Sequence, residues 1–157
     1  MAEIVIAGVL MGVLATGAMD LWALALNRFA RQPLPNWAMP GRWVAHLTRG
    51  AVFHDAIAEA AHVPGELKIG WAFHYAVGIV YGIALAAIMG TGWLAQPTFL
   101  PALFFSILMV GFGWFLLQPG MGLGWAASKT PNPWKVRVMN LAAHAVFAMG
   151  LWAGALV

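Results

Sequence analysis

All eight basic residues of this 157-residue chain fall in or beside two of the three connections between its four long apolar stretches. The stretches run at about 4–29, 69–89, 98–117 and 134–157. Arg28, Arg31, Arg42, Arg49 and Lys68 lie in or beside the first connection, and Lys129, Lys135 and Arg137 in or beside the third. The second connection, 90–97, has no charged side chain, and the N-terminus offers only Glu3. A chain that crosses a bilayer four times puts its first and third connections on one face. Lys/Arg excess marks the cytoplasmic face. The sequence therefore predicts an all-α, polytopic membrane protein with four transmembrane helices, basic loops in the cytoplasm and both termini outside.

Composition points the same way. Hydrophobic residues make up 62% of the chain and charged residues 8%, whereas a soluble domain carries about 25% charged residues. A soluble domain of ~150 residues buries only about 70% of its surface, too little to hide this much apolar side chain. A bilayer removes the difficulty, since each span needs roughly 20 mainly apolar residues. Four spans with short connections predict one domain covering 1–157. The basic pI near 9.8 comes from a few charges that set orientation. It points to the lipid bilayer and its headgroups rather than to nucleic acid. The chain has no cysteine, which excludes disulfides, thiolate metal sites and cysteine nucleophiles. The first stretch has no basic leader, so it is expected to be retained as a helix.

Glycines four apart occur at Gly8 and Gly12, Gly78 and Gly82, and Gly150 and Gly154. This spacing puts both on one helix face and lets backbones approach closely, so tight bundle packing is expected. Asn132-Pro133 supplies an N-cap and a first-turn proline for the last helix. The segment at about 33–66 opens with Pro33, Pro35 and Pro40. It is expected to lie at the cytoplasmic interface as two short helices, Gly41–Arg49 and Ala51–Ala61, with Gly50 between them.

Asp20 is the sharpest anomaly in the spans. It sits about eight residues from the cytoplasmic end of the first, or ~12 Å deep at 1.5 Å per residue. An ionisable residue there is costly and marks a candidate functional site. His74 and His144 enter from other helices at ~8 Å and ~15 Å. Three chemistries fit such a group. Asp20, His74 and His144 could ligate a divalent metal through oxygen and nitrogen. His74 and His144 could hold a haem iron, although their difference in depth demands tilted helices. The group could also relay protons. A purely structural role needs only a polar cluster that satisfies Asp20, with Arg42 and Arg137 or a histidine as partner, and so fixes helix register.

Other polar residues carry weaker signals. Asp55, Glu59 and His62 share one face if 51–61 is helical. Glu59 and His62 have the Glu-x-x-His spacing of di-iron bundles, which need two such motifs, so a solvated face fits better. His46, His54 and His62 are expected to be satisfied by interfacial water. Gly120–Gly124 is glycine-rich but lacks the strand and the Lys-Ser/Thr of a phosphate loop, so a flexible connection is expected. No nucleophile–base set is visible, which argues against an independent enzyme.

Several strings together resemble an uncharacterised bacterial membrane-protein family, a domain of unknown function. They are Ala15-Thr16-Gly17-Ala18-Met19-Asp20-Leu21-Trp22, Gly41-Arg42-Trp43, Gly70-Trp71 with His74-Tyr75 and Gly78-Ile79, Pro97-Thr98 with Pro101-Ala102, Gln118-Pro119-Gly120 with Gly122, and His144 with Gly150-Leu151. The resemblance covers nearly the whole chain and implies a four-helix bacterial inner-membrane protein. It brings no activity and assigns no residue a role. Asp20, Arg42, His74 and His144 all fall within the recurrent strings. Two functions are expected from the residues. Either the bundle binds a small ligand, a metal or haem in its cytoplasmic half, or the chain is a non-catalytic accessory or assembly subunit packed against a larger membrane complex or a second copy.

Overall fold

A computed structural model describes residues 1–157, and every regular element is helical. Five helices follow one another: α1 (Ala2–Ala30), α2 (Ala38–Leu47), α3 (Glu66–Ala95), α4 (Phe99–Gly120) and α5 (Pro133–Ala155). Helices α1, α3, α4 and α5 are long and apolar enough to cross a membrane, and α2 is the short helix between the first two. The chain is a membrane protein.

Local chemistry sets the helix ends. Arg31 takes a left-handed conformation (φ 52°) and its N–H closes onto the Leu26 carbonyl. Gln32 N–H reaches the same carbonyl, and Pro33 and Pro35 prevent continuation. Helix α3 outruns its apolar stretch at both ends. It starts at Glu66 and resumes beyond Gly90, which breaks the helix with φ 72° and ψ 176°. Helix α4 contains a π-helical turn at Gly113–Leu117, where Gln118 N–H bonds the Gly113 carbonyl five residues back. Pro119 explains it. A proline has no N–H for the residue four back and its ring crowds that carbonyl, so the preceding turn widens.

The chain divides into two compact units: Met1–Leu34 with Tyr75–Met109 and Ala142–Val157, and Pro35–His74 with Val110–Leu141. In the first unit, α1 is flanked by glycine contacts on two sides. A Cβ at Gly8 or Gly12 would strike the α3 backbone at Ile83, Gly78 and Ile79. A Cβ at Gly150 or Gly154 would strike α1 at Ala15 and Met11. Met11, Ala15, Leu85, Ala86, Trp93, Ala102, Phe147 and Leu151 form the core. Lipid tails are as apolar as these side chains, so close van der Waals fit rather than water exclusion holds the helices together. Buried Thr16 returns its hydroxyl to the Gly12 carbonyl at 2.8 Å and so buries no unpaired donor.

In the second unit Trp43, Ile57 and Met121 form a separate core. Helices α2 and α3 touch backbone to backbone, with Gly41 against the Glu66 carbonyl and Gly70 against the Trp37 carbonyl. Residues 51–61 are not the expected second helix. They form turns and extended backbone after Gly50, which has φ 80°. The reason is in the carbonyls. Those of Val52, Ile57, Ala58, Ala60 and Ala61 are accepted targets of side chains on α2, and a helix would have used them internally. The face expected to unite Asp55, Glu59 and His62 therefore does not form. Gly120–Gly124 is likewise no loose connection. Gly120 packs on the Trp43 indole, and backbone bonds run from His54 to Gly120 and from Ile57 to Met121, both 3.0 Å.

Candidate functional site

Within the first unit, the side chain that apolar helix α1 can least ignore is Asp20. Tyr75 of α3 donates its hydroxyl to Asp20 Oδ2 at 2.9 Å. Both residues are half-buried. Gly8, Gly12, Thr16 and Asp20 recur every four residues, so they share one stripe of α1. Gly8 and Gly12 press that stripe against α3 around Gly78 and Gly82. Tyr75 lies one helical turn before Gly78. The stripe that carries the close helix contact thus delivers the carboxyl to the phenol. Tyr75 is a partner that depth along the spans does not identify. The glycine register does.

His144 of α5 is clasped to Ser106 of α4. Its Nδ1 donates to the Ser106 carbonyl at 2.8 Å, and the fully buried Ser106 hydroxyl donates to the His144 carbonyl at 2.6 Å. Because Nδ1 faces a carbonyl, it carries the proton, and Nε2 is the one nitrogen left for a ligand. This reciprocal pair joins two helices in a medium that offers no water.

In the second unit His74 is stacked on Trp37, with ring centroids 3.8 Å apart and 24° between planes, and meets Trp71 edge-on at 5.9 Å. No three His, Asp or Glu side chains are grouped to hold a metal ion.

Arg42, 4% exposed, is the centre of a knot within the second unit. Its Nε and one terminal nitrogen grip both Glu66 carboxylate oxygens, each at 2.8 Å. The other terminal nitrogen donates to the carbonyls of Ile57, Ala58 and Ala60, and the first also meets His62 Nδ1 at 2.7 Å. Planar, five-donor guanidinium geometry is what allows one side chain to do this. Hydrogen bonding to Glu66 raises the Arg42 pKa, outweighing burial, which lowers it. Arg137 donates to the Ala126 carbonyl at 2.8 Å, in a turn where Ala126 and Ala127 both have positive φ.

A third polar set escaped sequence reasoning. Asn140 Oδ1 accepts from Trp114 Nε1 and from Gln118 Nε2, both at 3.0 Å. Trp114 can only donate, so it fixes the Asn140 amide, which in turn fixes Gln118. The buried Gln118 Oε1 is left without an acceptor's partner. The signal was available: uncharged amides at Gln118 and Asn140 stand in apolar helices as Asp20 does.

The expectation of an uncharacterised family holds. Residues 9–157 fit the family described as "Protein of unknown function (DUF2938)". No curated protein and no solved structure matches the chain. The match takes in all but the first eight residues, Asp20 and Arg42 among them, and the chain belongs to this family of unknown function.

Proposed function

We propose that the chain is a bacterial inner-membrane protein that binds a small polar ligand inside its bundle, at the pair formed by Asp20 and Tyr75. Both termini face outward and the basic loops face the cytoplasm, an orientation supported by the distribution of the eight Lys/Arg residues. One observation carries the ligand reading: a half-buried carboxyl on an apolar helix is oriented by a phenol 2.9 Å away. A carboxyl within a span is expensive to maintain. Held in one orientation and still partly accessible, it suits a ligand that presents an N–H donor or a positive charge.

Native mass spectrometry, absorption spectroscopy and elemental analysis of the protein purified in nanodiscs test this. A small molecule should be released on denaturation and should be absent from Asp20→Asn protein. Tyr75→Phe should weaken its binding about tenfold, the worth of one hydrogen bond of roughly 1–1.5 kcal/mol. A Soret band or stoichiometric metal that survives Asp20→Asn would reject the Asp20 site. A colourless, ligand-free protein that always copurifies with a larger membrane complex would replace it with the accessory-subunit reading.

A further inference from the structure

Two histidines that neither the spans nor the Arg42 knot employs are joined in the second unit. His46, near the end of α2 and 8% exposed, places Nδ1 2.9 Å from Nε2 of His54. The other nitrogen of each ring faces a backbone carbonyl. His46 Nε2 lies 3.1 Å from the Ala61 oxygen and His54 Nδ1 lies 3.0 Å from the Gly120 oxygen. All four ring nitrogens are engaged, so turning either ring over would set carbons against these partners. The orientation of both rings is therefore fixed by the contacts themselves.

Counting protons gives the consequence. A carbonyl only accepts, so His46 Nε2 and His54 Nδ1 must each carry hydrogen. Two neutral imidazoles have no more hydrogens to give. Their remaining nitrogens would then confront each other as two lone pairs at 2.9 Å. Three hydrogen bonds in a row require three hydrogens on the four nitrogens. We infer that His46 and His54 form a proton-binding site, in which one additional proton lies between His46 Nδ1 and His54 Nε2 and locks residues 48–61 onto Gly120 at the end of α4.

The surroundings tolerate the added charge without supplying it. No carboxylate pairs with either ring. Arg42, one turn before His46, is matched by Glu66, and His62 contacts both of them. Arg49, Asp55, Glu59, Lys68 and Lys129 are exposed, and Arg137 is engaged with Ala126. Removing the proton turns the central bond into a repulsion. One ring must then rotate or move its remaining hydrogen to the nitrogen that faces the other ring, and either change gives up the bond to Gly120 or to Ala61. The sign follows: the fastening is present at low pH and is lost as pH rises, the behaviour of a histidine switch.

Nitrogen-15 NMR of histidine-labelled protein in nanodiscs, followed through a pH titration, tests this together with hydrogen exchange. At the low end, three protonated ring nitrogens and a coupling between His46 Nδ1 and His54 Nε2 across the shared hydrogen are expected. As that signal is lost, the amides of His54 and Ile57 should exchange faster than base catalysis alone explains. His54→Gln, which is neutral at every pH, should lack this excess. Two neutral rings without a shared hydrogen across the whole folded range would overturn the inference. So would an unchanged excess in His54→Gln. Should that variant fail to fold, the nitrogen spectrum of the unaltered protein decides alone.

Discussion

Arg42→Met removes the centre of the knot while keeping a side chain of similar length. Five groups meet the guanidinium at once: the Glu66 carboxylate, His62 Nδ1 and the carbonyls of Ile57, Ala58 and Ala60. Breaking a buried ion pair by deleting one partner costs about 3–5 kcal/mol. Glu66 is 14% exposed and keeps the Val63 N–H at 3.1 Å, so the lower end applies. About 3 kcal/mol is roughly a hundredfold in an opening equilibrium. The loss should be local, because residues 51–61 have no helix of their own to fall back on. Hydrogen exchange of His54 and Ile57 in nanodiscs should rise about a hundredfold, while exchange in the middle of α1 stays unchanged. The pair Arg42→Met with Glu66→Met should be milder than Arg42→Met alone, since no uncompensated carboxylate remains. Exchange within twofold of the unaltered protein in Arg42→Met would show that the knot decorates the segment rather than holding it.

Two further perturbations separate packing from polar satisfaction. Gly12→Val drives a side chain into the Gly78 carbonyl and the Ile79 backbone, and should cost about 1–3 kcal/mol in thermal or denaturant unfolding. Gly17→Ala, where nothing lies within 4 Å, should leave stability equal or up to about 1 kcal/mol higher. Gln118→Met loses one bond to Asn140 but also removes a buried acceptor without a partner, so it should stay within about 1 kcal/mol. Asn140→Leu strands both Trp114 Nε1 and Gln118 Nε2 and should cost at least about 2 kcal/mol in the same unfolding assay.

The spans were legible because they rest on the most averaged of signals, some twenty apolar residues in a row. Residues 51–61 were not, although their side-chain pattern suits a helix. What decides their conformation is where their carbonyls go, and the donors sit on α2, at Arg42, Trp43 and His46. No local pattern in 51–61 announces a donor 9 to 18 residues earlier in the chain. The same blindness assigned His46 and His54 to interfacial water, when each ring is engaged at both nitrogens.

Asp20 shows how much more of a membrane site a sequence can yield when rotation is used as well as depth. Depth alone grouped Asp20, His74 and His144, because the sequence puts all three at comparable distances from the basic ends of their apolar stretches. Depth fixes one coordinate of a helical residue and leaves its angle about the helix axis open. That angle is written in the small residues, because a glycine pair must face whatever backbone approaches it. Counting in fours from Gly8 and Gly12 through Thr16 reaches Asp20, on the stripe that meets α3 at Gly78 and Gly82. Antiparallel neighbours run their registers in opposite senses, so moving from Gly12 toward Asp20 moves from Gly78 toward Tyr75. The Asp20–Tyr75 bond lies where that count ends. A polar residue in register with a glycine stripe is thus placed against an identifiable partner.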